Sequence, residues 1–334
     1  MKARRNSVKN SSAVNNNFKI DEQGRVDSSI LFKQQIASEK TPSPSLKHGT
    51  FSLYWLTDFF FTHGLVLIGL AYATQKLMWL QCFAELFVIM TSFIMTGSVF
   101  VVIMCGLYGT KQQTNPPQTP EIWQEALDSI KAMYTFAALA AWPLYMYKDG
   151  QPMGLTFSLA EAQPWAPESV ALYCLQLVGA TLIVDLYSYI KHKSMHSQYL
   201  FQFHAMHHTY RDPTAFASFA VHPVESFLTF VPVLGMCFPQ HKVWAHAYGI
   251  WTFGWALINL YLHCGHTIPI VEMFLQPLLL NSSGFHNSHH QKMWTNYGEL
   301  LYVWDIILDT GFHPGTFFTW GARKSLKVEF SKGL

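Results

Sequence analysis

Between Phe83 and Tyr108 the chain runs for 26 residues with a single charged side chain, Glu85, near the start. About 20 apolar residues are enough for a helix to cross a bilayer. In lipid such a run satisfies its backbone only as a helix. This segment therefore restricts the chain to membrane architectures. Three more stretches have spanning or near-spanning length: about Phe51 to Thr74, interrupted by Asp58 and His63; about Ala132 to Tyr147, which is short; and about Val170 to Ile190. Two others, Phe216 to Phe238 and Val243 to Leu262, are less regular. The first contains His222, Pro223, Glu225 and Pro232, so a broken or re-entrant helical pair fits as well as two full spans. The run Ile268 to Leu280 carries two prolines and is too short to cross.

Composition agrees. Charged residues make up only 13% of the 334 and hydrophobic residues 50%, against about 25% charged in soluble domains. So few charges cannot coat a soluble protein of this size. A net charge of +2 gives no support for nucleic-acid binding. The five cysteines (Cys82, Cys105, Cys174, Cys237, Cys264) form no CxxC and lie in or beside apolar runs, which argues for buried reduced thiols over disulfides or a thiolate zinc site. Residues 1–50 are rich in Ser, Asn, Lys and Gln and read as a disordered polar tail, with no apolar stretch that would make a signal peptide. The sequon at Asn10 matters only if that tail is lumenal, and the charge pattern argues against it. Basic residues of the tail, together with Lys191, Lys193, Arg211, Lys292, Arg323, Lys324 and Lys327, all fall on one side if the crossings are even in number, and that side is expected to be cytosolic.

The end of the run from Val170 opens onto histidines. His192 and His196 form HxxxH; His204, His207 and His208 form HxxHH; and His286, His289 and His290 repeat HxxHH, with His263 and His266 between. Residues four apart share a helix face, so His192 and His196 can reach one metal, and His204 can pair with either His207 or His208. Adjacent histidines point about 100° apart, so one helix can offer them to two metals. A lone buried histidine is more often a hydrogen-bonded core residue than a ligand. Ten at ligand spacings on one expected face argue instead for a metal centre, and imidazole suits iron, zinc or copper. No HExxH occurs, which disfavours a zinc protease, and the Glu and ExxH pairs of soluble di-iron bundles are missing.

These motifs carry a resemblance. The segment Asp185 to Tyr189 before HxxxH, the two HxxHH clusters, His222 to Glu225 (HPVE), Asn296 to Gly298, and Trp304 with Asp305 together resemble the fatty acid hydroxylase/sterol desaturase superfamily over about residues 170–312. The resemblance implies an all-α integral membrane protein of four or more transmembrane helices with a cytosolic histidine-rich metal domain, residues 51–334 forming the oxygenase. It implies two Fe ions, O2 as co-substrate, and electrons from NAD(P)H through separate donors, cytochrome b5 and its reductase, in the endoplasmic reticulum. The ligands it implies are His192, His196, His204, His207, His208, His286, His289 and His290, with His263 a further match. His266 is an additional candidate, standing where many relatives carry an aromatic residue. Lys193 departs from the Arg that usually follows the first histidine, a change expected in a supporting contact.

Thr209 to Pro213 and Ala220 to Glu225 resemble sterol C-5 desaturases, whereas Cys264 to Pro269 is closer to C-4 methyl sterol oxidases. The expected activity is thus introduction of a C=C bond into a sterol. The alternatives are hydroxylation or C-4 methyl oxidation of a sterol, fatty acyl or sphingoid lipid, and, in another class, a membrane metal-binding protein or transporter. Asp185 is expected to orient a ligand ring. His222 or Glu225 could do the same, or bond locally near Pro223. Asp305 and Asp309 are expected to anchor the C-terminal segment. Trp251, Trp255, Tyr248 and Phe253 could shape a tunnel, although packing or membrane-interface roles are commoner. His313 to Gly315 resembles part of the cytochrome b5 haem motif, but too little chain follows for that domain. His48, His63, His241 and His246 have no ligand-spaced partners and are expected to be structural.

Overall fold

A computed structural model describes residues 53–113, 117–158, 161, 167–235, 237 and 242–311. The tail 1–50, His48, His241, the motif at His313 and the last basic residues lie outside them. The regular elements of the described residues are helices, apart from four two-residue strands. Three helices among these residues are long and apolar enough to cross a membrane: α1 (Leu53–Tyr72, with a π turn at Phe60–Gly64), α2 (Lys76–Tyr108) and the stretch Val170–Met195 of α4 (Pro167–Met195). Their apolar side chains face outward. Leu107 is 67% and Ile183 71% exposed, as lipid-facing residues would be.

The expected third span lies within α3 (Thr119–Lys148), which Gln118 and Glu121 start with a capping box. This helix is long enough to cross, but it packs along α2 instead of facing outward. Ala137, Ala138 and Ala141 are buried against Trp79, Cys82 and Phe83 of α2. Its charged residues also explain the interruptions in the apolar runs. Lys131 pairs with Asp58 of α1 at 2.7 Å and Lys148 with Glu85 of α2 at 2.8 Å. An intramembrane carboxylate needs a partner of this kind.

After α4 come α5 (Phe201–Thr209), a 3-10 turn (Ala215–Phe219) and α6 (Pro223–Gly235). The stretch from Phe216 is broken at residues 220–222. The 13 residues of α6 rise about 20 Å, short of a bilayer core of about 30 Å. Next are α7 (Ala245–Leu262), α8 (Pro269–Leu275), α9 (Ser283–Lys292) and α10 (Val303–Ile307). Strand β1 (Thr110–Lys111), at the end of α2, pairs antiparallel with β4 (His266–Thr267), placing the turn after α7 at that end of α2. Strands β2 (Leu155–Thr156) and β3 (Val243–Trp244) pair in parallel.

Two buried carboxylates fasten the C-terminal segment. Asp305 accepts from the Tyr297 and Gly298 amides at 2.9 and 2.6 Å and from the Thr310 hydroxyl at 2.7 Å. This is the anchoring role expected of it. Asp185 corrects an expectation, because it touches no histidine. It accepts from the Leu300 amide at 3.0 Å, the Leu301 amide at 3.3 Å and the Trp304 indole at 2.7 Å, tying α4 to the approach of α10. Asp185→Ala would leave these donors without their acceptor. It should destabilise the protein by about 2–4 kcal/mol, read as a lower unfolding midpoint in detergent. An unchanged midpoint would contradict the anchoring role.

Candidate metal centre

The last turn of α4 carries His192, with His196 just past its end, α5 carries His204, His207 and His208, the turn capping α7 carries His263, and α9 carries His286, His289 and His290. Their ring nitrogens gather into two groups, in each of which the candidate ligand atoms lie within 4.8 Å of one another. One holds His192, His196, His204, His208 and His289; the other holds His207, His263, His286 and His290. Each HxxHH sends its two adjacent rings to different groups, as the helical angle between neighbours requires. The pairing left open in the sequence is settled by i,i+4 spacing: His204 joins His208, and His286 joins His290.

Hydrogen bonds fix which nitrogen faces inward. A carbonyl oxygen only accepts, so the Nδ1–H groups donate from His192 to Tyr297 (2.9 Å), His263 to Asn259 (2.9 Å), His289 to Thr295 (2.6 Å) and His290 to Tyr210 (3.0 Å). His204 Nδ1 donates to the Glu225 carboxylate at 2.8 Å. In each of these rings Nε2 then presents a bare lone pair to the group. The Nε2 atoms of His192 and His290 are buried without a protein partner. Neighbouring Nε2 atoms stand close: His204–His208 at 3.1 Å, His208–His289 at 3.2 Å, His207–His263 at 3.2 Å and His263–His286 at 3.0 Å. Ligand nitrogens about 2.1 Å from a metal lie about 3.0 Å apart at right angles and about 3.4 Å apart in a tetrahedron. The spacings match the right-angled edge, so the donor set fits a metal in each group.

Burial also sets the protonation state. It pushes His207, His208, His286 and His290 well below the usual histidine range, with neighbouring imidazoles adding to the effect. Burial lowers His263 to about 4 and His289 to about 3, although hydrogen bonds to the Asn259 and Thr295 carbonyls oppose it. The rings are neutral near pH 7, as ligation requires.

Two candidates lie apart from the groups. His266 turns away because Gly265 adopts φ +68° and the next residue enters β4, where the His266 ring bonds the Cys264 carbonyl at 2.9 Å. A side chain at 265 would collide with Gln113, so only glycine fits this bend. His222 touches no ligand ring. Its Nδ1 accepts the Val224 amide at 3.2 Å at the start of α6, and its ring packs on Tyr54 and Phe203. Of Asp185, His222 and Glu225, only Glu225 bonds a ring of either group. His63 and His246 pack on aromatic rings away from both groups.

An apolar cavity lined by Met90, Phe93, Phe136, Phe230, Trp251 and Trp255, among others, adjoins a smaller pocket bounded by His192, His204, His207, His263 and His286. Phe253 lines the cavity too, so three of the four aromatics of the α7 stretch shape it. Tyr248 instead donates to the Val233 carbonyl at 2.9 Å. Sequence reasoning missed Lys191, a buried cation with Nζ 2.8 Å from Glu299 and 3.9 Å from Glu225. Its position beside the first ligand was the available signal. The four supporting carbonyls left none, because any residue supplies one.

The motif resemblance is confirmed by comparison with known proteins. Residues 177–310 match the fatty acid hydroxylase family. Human lathosterol oxidase is 29% identical over 147 residues, 43% of this chain and 47% of that protein. Methylsterol monooxygenase erg25B of Aspergillus fumigatus is 22% identical over 208 residues, 61% and 67% of the two chains. The Delta(7)-sterol 5(6)-desaturase of Leptosphaeria maculans is 28% identical over 139 residues, 40% and 36%. Against the lathosterol oxidases the chain spans about half the relative's length. No solved structure matches significantly.

The lowered histidines make acid stability a test of the metal-free fold. The unfolded chain takes up protons below about pH 6.5 that buried His263 and His289 refuse until about 4 and 3. Stability present above pH 6.5 should therefore be lost as pH falls toward 5, by about 1.4 kcal/mol per pH unit for each ring. Denaturant midpoints of the metal-stripped protein between about pH 7.5 and 5 check this; a midpoint that holds or rises on acidification contradicts it.

Proposed function

We propose that this chain is an O2-dependent lipid oxidoreductase with one iron in each histidine group, acting on a sterol to introduce a carbon–carbon double bond. One observation carries the reading. Nine imidazoles, eight of them buried and His196 half-buried, form two groups, and the pocket they bound adjoins an apolar cavity. His192, His196, His204, His208 and His289 would hold one ion, and His207, His263, His286 and His290 the other. Bound iron would supply the reduction of O2 and the cleavage of an unactivated C–H bond.

The chain's own residues orient and exclude. Carbonyls of Tyr210, Asn259, Thr295 and Tyr297, with Glu225, hold the rings in one tautomer. Aromatic walls keep water from the reacting carbon, and the cavity fixes where that carbon stops. Removing a second hydrogen gives a desaturase, and returning oxygen to the first carbon gives a hydroxylase; the outcome turns on placement at about 1 Å. A sterol substrate is supported by the relatives' names, one of them a sterol desaturase. C-4 methyl oxidation is the second reading, favoured by the methylsterol monooxygenase match and by Cys264 to Pro269.

A metal transporter is the rival from another class. Transporters place ligands along a path near mid-membrane, whereas these ligands close around two points at and beyond the end of α4. We place the centre on the cytosolic face of the endoplasmic reticulum, with electrons from NAD(P)H through cytochrome b5 and its reductase. The basic residues Lys193, Arg211 and Lys292 near the ligand-bearing helices support that orientation.

Metal analysis of the purified protein should find about two irons per chain. His207→Ala should lose one while the other group keeps its metal; a metal-free active protein contradicts the centre. Expression in a host lacking its own sterol C-5 desaturase, with the electron donor supplied, should restore 5,6-unsaturated sterols. Hydroxylated or demethylated products would move the assignment to the second reading.

A further inference from the structure

The apolar cavity and the histidine-lined pocket share five lining residues: Phe136, Phe219, Thr229, Asn259 and Glu299. Three of these are polar, and they stand at the passage between an otherwise greasy chamber and the ligand rings. Lys191, with its side chain only 6% exposed, organises two of them, Glu299 and Thr229. Its Nζ donates to Glu299 Oε1 at 2.8 Å and to Thr229 Oγ1 at 3.0 Å. On its other side lies Glu225, whose second oxygen accepts from His204.

The chain Glu299–Lys191–Glu225–His204 could be scaffolding alone, but two features point to a ligand. Among the described residues no protein donor meets Glu299 Oε2, although the carboxylate lines both the chamber and the passage. Thr229 accepts from Lys191, which leaves its own O–H to donate. A group passing here meets a free acceptor and a free donor. That is the complement of an alcohol, which donates one hydrogen bond and accepts another. An anionic headgroup would face the Glu299 and Glu225 carboxylates and is disfavoured. A bare hydrocarbon would bury both polar groups unmet.

We propose that Glu299 and Thr229, held by Lys191, form a hydroxyl-recognition subsite at the mouth of the metal pocket. It would select lipids with a neutral hydroxyl a few bonds from the reacting carbon, and place that carbon. Both are positioning residues that touch the substrate's hydroxyl and not the reacting atoms. This rests on the lipid-oxygenase reading and deepens it.

The test uses the full-length, iron-loaded protein in detergent. Cholestanol and its 3-methyl ether, which lacks the donor, are titrated while tryptophan fluorescence is followed, since Trp251 and Trp255 line the chamber. The unaltered protein should bind cholestanol about tenfold more tightly than the ether, the size expected when one hydrogen bond to a charged acceptor is lost. Glu299→Gln should bring that ratio to about twofold or less, and Thr229→Val, which keeps the side-chain shape but removes the O–H that either sterol's oxygen accepts, should weaken both about equally, each with iron content unchanged. A purely structural role for these residues would change iron content or leave the ratio unaltered in Glu299→Gln. Equal binding of the two sterols, no saturable binding of either, a ratio unaltered in Glu299→Gln, or affinities unaltered in Thr229→Val overturns the proposal. Iron content measured on the same samples separates this from failure of the oxygenase reading. Discrimination without iron leaves the subsite standing and removes the oxygenase, and two irons without discrimination does the reverse.

Discussion

The structure depends on orienting buried imidazoles. Each ring in the two groups has two polar nitrogens, and burial makes either one costly if left unmet. The protein answers by turning Nδ1 of several rings outward onto acceptors that cannot donate. His192, His263, His289 and His290 use backbone carbonyls, and His204 uses Glu225. This sets the tautomer, aims Nε2 inward, and brings four chain segments to one place. A metal in each group would complete an arrangement whose protein bonds are already made.

Much of the remaining architecture serves those outward bonds. The Tyr297 carbonyl is available to His192 because Asp305 gathers the amides of Tyr297 and Gly298, and because Asp185 holds the following amides against α4. The Asn259 carbonyl reaches His263 because Asn259 lies on the last turn of α7 and His263 caps it, so that one oxygen accepts from both the backbone and the ring N–H of His263. The bend at Gly265 then takes the chain into β4 at the end of α2. Ligand, supporting carbonyl and membrane helix are therefore mechanically continuous, and a change at Asp185 or Gly265 acts on the rings through backbone position.

A polar, histidine-lined pocket and an apolar cavity lie side by side. Here the boundary is narrow. Phe136 and Phe219 belong to both spaces, and two carboxylates gather around Lys191 at the boundary. A buried cation between two carboxylates contributes little net stability by itself. It stands between Glu225, which holds the His204 ring, and Glu299, which faces the cavity.

By itself the sequence determined the chemistry and the solvent. Uncharged runs of spanning length require helices in lipid, and HxxxH with two HxxHH motifs puts imidazoles at ligand spacing, because helical periodicity is a local property. Local periodicity also implied that His207 and His208, or His289 and His290, would part company. Tertiary structure decided how the rings were shared out and which polar residues served them. Asp185, His222 and Glu225 looked alike as polar residues near a site, yet Asp185 binds distant amides, His222 caps its own helix, and Glu225 alone meets a ligand ring. His266 has the same chemistry as His263 but lies past a left-handed glycine. Lys191 showed only as a charge beside the first ligand, and its partners are 34 and 108 residues away in sequence. Such pairings follow from where helices cross, and no local pattern records a crossing.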